Sequence, residues 1–464
     1  MNGLPLATGS DLNGTALITE GFKSIMHIRR RLAALSGTKH SCHDASIAAH
    51  HIGRPFMFCI AIVFIFAHAL SAEQSSANPP GLTVVDGNFF KEGREFRGVG
   101  INFYNAFLRK LGLEGAEPDL SDTSYRQRFE ILRSYEIPFI RFAACGFYPV
   151  EWDVYLNDKE GYFEAFDKFV AYAEETGMGL IPTLFWTYFT LPDVVGEPLD
   201  QWGNPDSKTH AMMRQYTREV VERYVDSPAI WAWEFGNEYL LEADIPDPNA
   251  GRGWIIPDYD YGTPDFRTER DKMYRRNVWV AYEAFVETVR SIDDSRPIFS
   301  GDSKPRKSAY HNWSENTWKT DSKEEWKRIF IKDNRHMNAL SAHFYYYSPD
   351  PEAEDSDLMY LNPSDQIEFM MQIAEKENKP LWIGEFGVDG TDKTIEEERK
   401  QFEFLINLML EHEVHLSALW NFDFGHEDQT QWNITPDNHR SYMLEALRDA
   451  NRKIREAGYS CNKH

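Results

Sequence analysis

From Glu95 to Glu456 short apolar runs alternate with longer stretches in which apolar residues recur every three or four positions. The short runs are "EFRGVGINF" (Glu95–Phe103), "PFIRFAA" (Pro138–Ala144), "GLIPTLFW" (Gly179–Trp186) and "AIWAWEFGNE" (Ala229–Glu238). They continue with "RPIFSG" (Arg296–Gly301), "ALSAHFY" (Ala339–Tyr345), "PLWIGEFG" (Pro380–Gly387) and "LSALWNF" (Leu416–Phe422). All carry apolar residues on both faces, as parallel strands do when helices cover them. Between them, Tyr125–Tyr135, Phe163–Glu175, Met212–Tyr224, Asp271–Ile292, Ser364–Glu377 and Glu396–Glu413 have the spacing of amphipathic helices. A last one, Tyr442–Glu456, ends the series, and the fifth connection has "EEWKRIF" as its best helical piece. Eight strand–helix repeats predict an α/β fold, a (β/α)8 TIM barrel forming one domain over residues 81–464. The doubly wound open sheet shares the alternation, but no GxGxxG follows the first strand to make its usual phosphate site.

Residues 1–72 follow a different pattern. "MHIRRRLAALSGTKH" is basic, and the apolar run Phe56–Leu70 after it is shorter than the roughly 20 residues of a membrane span. Its length suits the apolar core of a signal peptide, with Ala67-His68-Ala69 as a small-x-small cleavage site. The long basic flank makes an internal Met such as Met26 a candidate start. The expectation is a leader over residues 1–72, a signal peptide or an N-terminal anchor. The protein is then secreted, extracellular or periplasmic, and touches a membrane only where that segment stays uncleaved.

Composition narrows the partners. Lys and Arg total 49 against 73 Asp and Glu, a formal charge of −24. So acidic a chain is ill suited to gripping nucleic acid or an anionic membrane by charge, and better suited to a neutral partner. Aromatics make up 14 %, enough to furnish flat surfaces besides a core. Of four cysteines, Cys42 and Cys59 fall in the leader, leaving Cys145 and Cys461 too far apart to read as a framework. The body has no CxxC, HExxH or HxH cluster, so no metal ligand set and no cofactor are expected.

Catalytic groups of a barrel gather at the C-terminal ends of its strands. There the predicted strands offer Arg141 (strand 2), Asn237 and Glu238 (strand 4), His343 and Tyr345 (strand 6), Glu385 (strand 7) and Trp420 (strand 8). Two carboxyls from strands facing each other across a barrel can flank a glycosidic bond. One protonates the departing oxygen, while the other attacks the anomeric carbon or activates water. A retaining enzyme holds them about 5 Å apart and an inverting one roughly 6.5–9.5 Å.

"WEFGNE" on strand 4 and "WIGEFG" on strand 7 resemble the acid/base and nucleophile motifs of the retaining clan A glycoside hydrolases, and best those of family 5, which includes β-mannanases and cellulases. The resemblance spans roughly Leu82 to Ala457. It implies Glu238 as acid/base, Glu385 as nucleophile, Asn237 on the sugar 2-hydroxyl and Arg141 keeping the nucleophile ionised. It further implies Tyr345 near the nucleophile, His343 near the acid/base and Trp420 as the floor under the sugar.

Two departures stand out. Tyr239 follows the acid/base where many family 5 members have Pro, and strand 3 ends on Trp186 and Tyr188 where many cellulases have His. The second favours a mannanase-like branch acting on a β-linked polysaccharide or oligosaccharide. An exo-acting β-galactosidase or β-mannosidase of the same clan, and a carbohydrate-binding barrel without catalysis, are the alternatives. Trp152, Trp186, Tyr188, Trp202, Trp254 and Trp432 fall in or near strand–helix loops and are candidates for stacking on sugar C–H faces. The segment Glu242–Arg270 exceeds ordinary loop length and is expected to shape one wall of the cleft.

Overall fold

The computed structural model describes residues 78–113, 116–255, 260–345, 362–425 and 430–459. The expected leader, with Cys42 and Cys59, and also Cys461 lie outside the described residues.

Eight parallel strands make up the main sheet: β1 (Gly98–Asn102), β2 (Phe139–Ala143), β3 (Gly179–Phe185), β4 (Trp233–Gly236), β5 (Ile298–Phe299), β6 (Leu340–Tyr345), β7 (Leu381–Gly387) and β8 (Leu416–Leu419). Their order, β5-β4-β3-β2-β1-β8-β7-β6, is that of a nearly closed barrel. The seam falls between β5 and β6. Pro297 has no N–H to give, and Gly301 turns the chain away at φ +73°, so β5 is two residues long. Polar groups bridge the gap instead: Asn338 N–H donates to the Ile298 carbonyl (3.0 Å), its Oδ1 accepts from Ile298 N–H (3.1 Å), and Ser341 Oγ accepts from Ser300 N–H (3.3 Å).

A long helix follows each strand: α1 (Ser124–Ser134), α2 (Lys159–Thr176), α3 (Lys208–Tyr224), α4 (Arg275–Arg290), α5 (Lys323–Asp333), α6 (Pro363–Glu377), α7 (Ile395–Glu411) and α8 (Ser441–Glu456), with short extra helices at Asp153–Asn157, Thr190–Val195 and Ala309–Glu315. Apolar spacing places the starts of α2 and α3 four residues late. Their first turns are set by polar caps, Asp158 accepting from Gly161 N–H (3.0 Å) and Ser207 from His210 N–H (3.1 Å). α4 starts later than its apolar pattern, because Glu269–Asp271 forms a separate 3-10 turn capped by Thr268.

Glu95 does not belong to the first barrel strand. It closes a small antiparallel unit, Leu82–Val85, Asn88–Lys91 and Arg94–Glu95. Leu82, Phe89 and Phe96 of this unit are fully buried with Phe139, Ile181, Trp231, Phe299, Trp382 and Leu416, which lie in or just before barrel strands. Phe89 meets Phe299 edge-on at 5.9 Å and Phe96 meets Trp231 at 5.1 Å. The unit thus plugs the N-terminal mouth of the barrel with apolar surface. Above the plug the inward positions are polar, namely Asn102, Arg141, Thr183, Glu234, His343 and Glu385, all buried. The strands are therefore not apolar on both faces throughout: their inner face changes character halfway up.

Candidate active site

Strict alternation along β7 would not put Glu385 inside. Trp382 faces the interior, and Glu385, three positions on, should face the helices. The pairing with β6 shows what intervenes. Leu381, Trp382 and Ile383 pair with Leu340, Ser341 and Ala342, but Glu385 pairs with His343, so Gly384 is an extra residue, a bulge. It reverses the parity of the strand and turns Glu385 inward. Two features fit this bulge. A Cβ on Gly384 would stand 3.0 Å from His343 Nε2, and the carbonyl the bulge leaves free accepts from Asn102 Nδ2 (2.9 Å).

Arg141 sits at the middle of the polar layer and is wholly buried. Its Nη1 donates to Glu385 Oε1 (2.8 Å) and Asn102 Oδ1 (3.2 Å), its Nη2 to Asn237 Oδ1 (2.8 Å), and its Nε to Glu234 Oε1 (2.5 Å). The Trp186 ring lies 4.6 Å from the guanidinium carbon. Burial opposes the charge, but Glu234 and Glu385 together hold the guanidinium charged. The other Glu385 oxygen accepts from the Tyr345 hydroxyl, leaving the carboxylate gripped at both ends.

Glu238 stands just past β4 in a left-handed backbone conformation, φ +53°, which costs a non-glycine residue roughly 1–2 kcal/mol. The turn is held by Glu238 N–H donating to the Gly301 carbonyl (3.0 Å) and Leu240 N–H to Asp302 Oδ1 (3.0 Å). Gly301 must be a glycine here, since a Cβ would lie 1.9 Å from the Gly236 carbonyl oxygen. The Glu238 carboxyl is hydrogen-bonded to His343 Nδ1 at 2.9 Å through Oε1. Burial pushes its pKa from an ordinary 4.5 up to about 7, and Arg141 pulls back only in part.

His343 is buried on β6 with Nδ1 also 3.4 Å from Glu385 Oε2. Burial lowers its pKa to about 4, so the imidazole is neutral near pH 7 and does not draw the proton off Glu238 by charge. Among the described residues, Nε2 has no hydrogen-bond partner. A buried N–H there would be unsatisfied, so the favoured tautomer carries its proton on Nδ1, facing the two carboxyls.

One oxygen of Glu238 and one of Glu385 lie within 4.8 Å of each other. Among the described residues, this pair with His343 is the one group with the donor types of a metal centre. It does not suit a cation. Both Glu385 oxygens are taken by protein donors, and the Arg141 charge sits 2.8 Å away. A carboxyl that burial raises to about 7, beside one held by Arg141 and Tyr345, suits acid–nucleophile chemistry instead.

The structure gathers Arg141, Asn237, Glu238, His343, Tyr345 and Glu385 around one point. The aromatic candidates divide. Trp420 is half-buried, its ring 6.1 Å from that of Trp186. Trp186 itself is buried and packs on Arg141, so it supports the site rather than offering an open face. Trp152, Tyr188 and Trp202 are also interior. Trp254 is half-buried against Phe147 and Phe189, and Trp432 is half-buried against Tyr345. Tyr239, where the family pattern breaks, is buried with its hydroxyl donating to the Phe185 carbonyl (2.8 Å). It is the first residue of a 3-10 turn, a position that Pro also fits.

Sequence reasoning missed Asn102, Thr183 and Glu234. The parity of β4 could have found Glu234, which lies four positions before Glu238 and faces inward like Arg141. The segment Glu242–Arg270 is tied down where it is described. Arg267 pairs with Asp193 at 2.6 and 2.7 Å and donates to the Trp254 carbonyl (3.1 Å), and Val150 N–H donates to the Tyr261 carbonyl (3.1 Å). These bonds lay it along the loops that follow β2 and β3. Cys145 is a buried free thiol, its pKa pushed up to about 12 by burial.

Comparison with known proteins gives three findings. The family model for cellulase (glycosyl hydrolase family 5) matches residues 122–425, a span that contains both catalytic candidates and every other predicted site residue except the stacking candidate Trp432. Among solved structures, the endo-1,4-beta-mannanase of Rhizomucor miehei is similar over 81% of this chain and 99% of its own, at 16% identity and a TM-score of 0.55. A glycoside hydrolase family 5 mannosidase from the same organism is similar over 82% of this chain and 99% of its own, at 12% identity and a TM-score of 0.53. Likeness at these identities speaks for the fold. The probable mannan endo-1,4-beta-mannosidase C of Aspergillus terreus is 40% identical over 88 residues, 18% of this chain. The match spans about a fifth (21%) of that relative's length.

Proposed function

The chain belongs to glycosyl hydrolase family 5, and from that premise we propose that it is a retaining β-glycosidase cleaving β-1,4-linked mannan internally, with Glu238 as acid/base and Glu385 as nucleophile. The observation that carries this is the separation of the two carboxyls, within 4.8 Å. Retention needs about 5–5.5 Å, whereas inversion needs roughly 6.5–9.5 Å to seat a water.

In the first step a Glu385 oxygen attacks the anomeric carbon as the bond to the leaving oxygen breaks and Glu238 gives that oxygen its proton. In the second, Glu238 takes a proton from water, the water oxygen attacks the same carbon, and Glu385 departs as carboxylate. Arg141 and Tyr345 each donate a hydrogen bond to Glu385 and orient it for attack. Asn237, anchored by Arg141, faces the sugar 2-hydroxyl, and Trp420 forms the floor beneath it.

The choice of mannan is supported by the 88-residue match to a mannan endo-1,4-beta-mannosidase and by the Trp and Tyr that end β3 in place of a His. Export through the residue 1–72 leader belongs to the same proposal, and N-terminal sequencing of the mature protein tests it.

The decisive experiment combines Glu385→Ala with azide and an activated aryl β-glycoside. The expected product is the glycosyl azide of inverted configuration. Recovery without azide, or no rescue from an active parent, would remove Glu385 from the role. Product analysis on β-mannan, β-glucan and β-galactan then fixes the sugar and separates internal cleavage from exo release. A wild-type protein inert on all of them would leave a binding barrel.

A further inference from the structure

Glu234 has no place in the two-step chemistry, yet it is among the most enclosed charges in the protein. It is wholly buried, and three donors meet its two oxygens: Arg141 Nε and Thr183 Oγ1 (2.6 Å) at Oε1, and Trp382 Nε1 (2.9 Å) at Oε2. No acceptor is among these three partners, so the pocket satisfies the carboxylate. Arg141, equally buried, is thus shared between two carboxylates, Glu234 and Glu385. One of the two loses its charge in every catalytic cycle.

We propose that Glu234 is a positioning residue whose fixed charge balances Arg141 when Glu385 becomes an ester, and keeps Arg141 from over-stabilising the Glu385 anion beforehand. This rests on the retaining reading of the site. When the Glu385–C1 bond forms and the C1–leaving-oxygen bond breaks, the electron pair and the Glu238 proton go to the leaving group. Glu385 is then neutral and Glu238 anionic. With Glu234 present, Arg141 still has a counter-ion in contact. Without it, a buried guanidinium would face an ester, a cost the intermediate and the transition state before it would both carry. In the resting site the same guanidinium would belong to Glu385 alone, holding the nucleophile's charge more tightly and making it less reactive.

Among the described residues, the charged and titratable groups around the two catalytic carboxyls are Arg141 from β2, Glu234 behind it on β4, Glu242 after Glu238, and His343 and Tyr345 from β6. β1 and β3 add the neutral Asn102 and Thr183. Removing one negative charge from this set favours the ionised form of both catalytic carboxyls, so both limbs of the pH profile should shift the same way.

The test is the pH dependence of kcat/KM of wild type and Glu234→Gln on 4-nitrophenyl β-mannobioside. Gln has the same length and can still accept from Arg141, so a scaffolding role would survive it. The expected result is that both limbs move down by about one pH unit, as loss of a neighbouring charge dictates, with kcat/KM at the optimum down about tenfold. The amide nitrogen of Gln would face the Trp382 N–H, so Glu234→Gln/Trp382→Phe is measured alongside to keep a folded variant in hand. Limbs that stay in place in a folded, active variant overturn the charge-balancing role while leaving the retaining mechanism standing. A wild type inert on this and every other glycoside overturns the mechanism, and this inference with it.

Discussion

Replacing Glu238 with Gln tests the electrostatics of the site through two independent observables. In the folded protein the Glu238 carboxyl titrates near 7 because burial disfavours its charge, against 4.5 ordinarily. That difference is worth about 3 kcal/mol. The sign follows from proton binding. Between pH 4.5 and 7 the unfolded chain has released this proton and the folded one has not, so the group's contribution is fully present below 4.5 and lost as pH rises to 7. Gln does not titrate. The stability of Glu238→Gln minus that of wild type should therefore grow by about 3 kcal/mol from pH 4 to pH 8. Urea unfolding at four or five pH values measures it, and taking the difference cancels other buried acids such as Asp302, which burial also raises to about 7. The kinetic counterpart is loss of the basic limb near pH 7. Activity on alkyl glycosides should fall about 10²–10⁴-fold, the usual worth of a general acid. Dinitrophenyl glycosides, whose leaving group needs no proton, should form the intermediate normally and release it slowly, giving a burst. A stability difference that does not change with pH, or a basic limb surviving in the variant, would refute the reasoning.

Other expectations follow from single contacts. Asn102→Ala frees the buried Gly384 carbonyl and removes a partner of Arg141; kcat should fall about tenfold or more, with KM little changed, as expected from about 1–3 kcal/mol per unsatisfied group. Unchanged kcat would show that the bulge needs no clasp. Phe89→Ala opens the apolar plug and should lower stability by about 3–5 kcal/mol with kcat/KM of the folded fraction intact, because the plug lies at the mouth opposite the site. Arg267→Met releases the segment between Glu242 and Arg270 from Asp193. Limited proteolysis there should accelerate, and KM for long oligosaccharides should rise roughly tenfold, about 1.4 kcal/mol, with small aryl glycosides unaffected; equal effects on short and long substrates would mean the segment is not a wall of the cleft.

The sequence by itself determined the eight strand–helix repeats and the strands in which, or just past which, Arg141, Asn237, Glu238, His343, Tyr345 and Glu385 stand. Apolar spacing and local motifs are properties of neighbouring residues, and neighbours are what a sequence displays. It misread Glu95, because a short hairpin and a barrel strand share the same alternation, and it placed some helix starts late, because polar caps lie outside the apolar pattern.

Only the tertiary structure decided the chemistry of the inner face. The Gly384 bulge that turns Glu385 inward is visible against β6 and β8, not along β7. Glu234, Asn102 and Thr183 join the site through Arg141 and strands far apart in the chain. Trp186 reads as a sugar platform in the sequence, and only the fold shows it buried with its ring against Arg141. The rise of Glu238 to about 7 and the fall of His343 to about 4 arise from burial. Burial and charge proximity are set by which distant residues exclude water from a carboxyl, and that is decided when the barrel assembles.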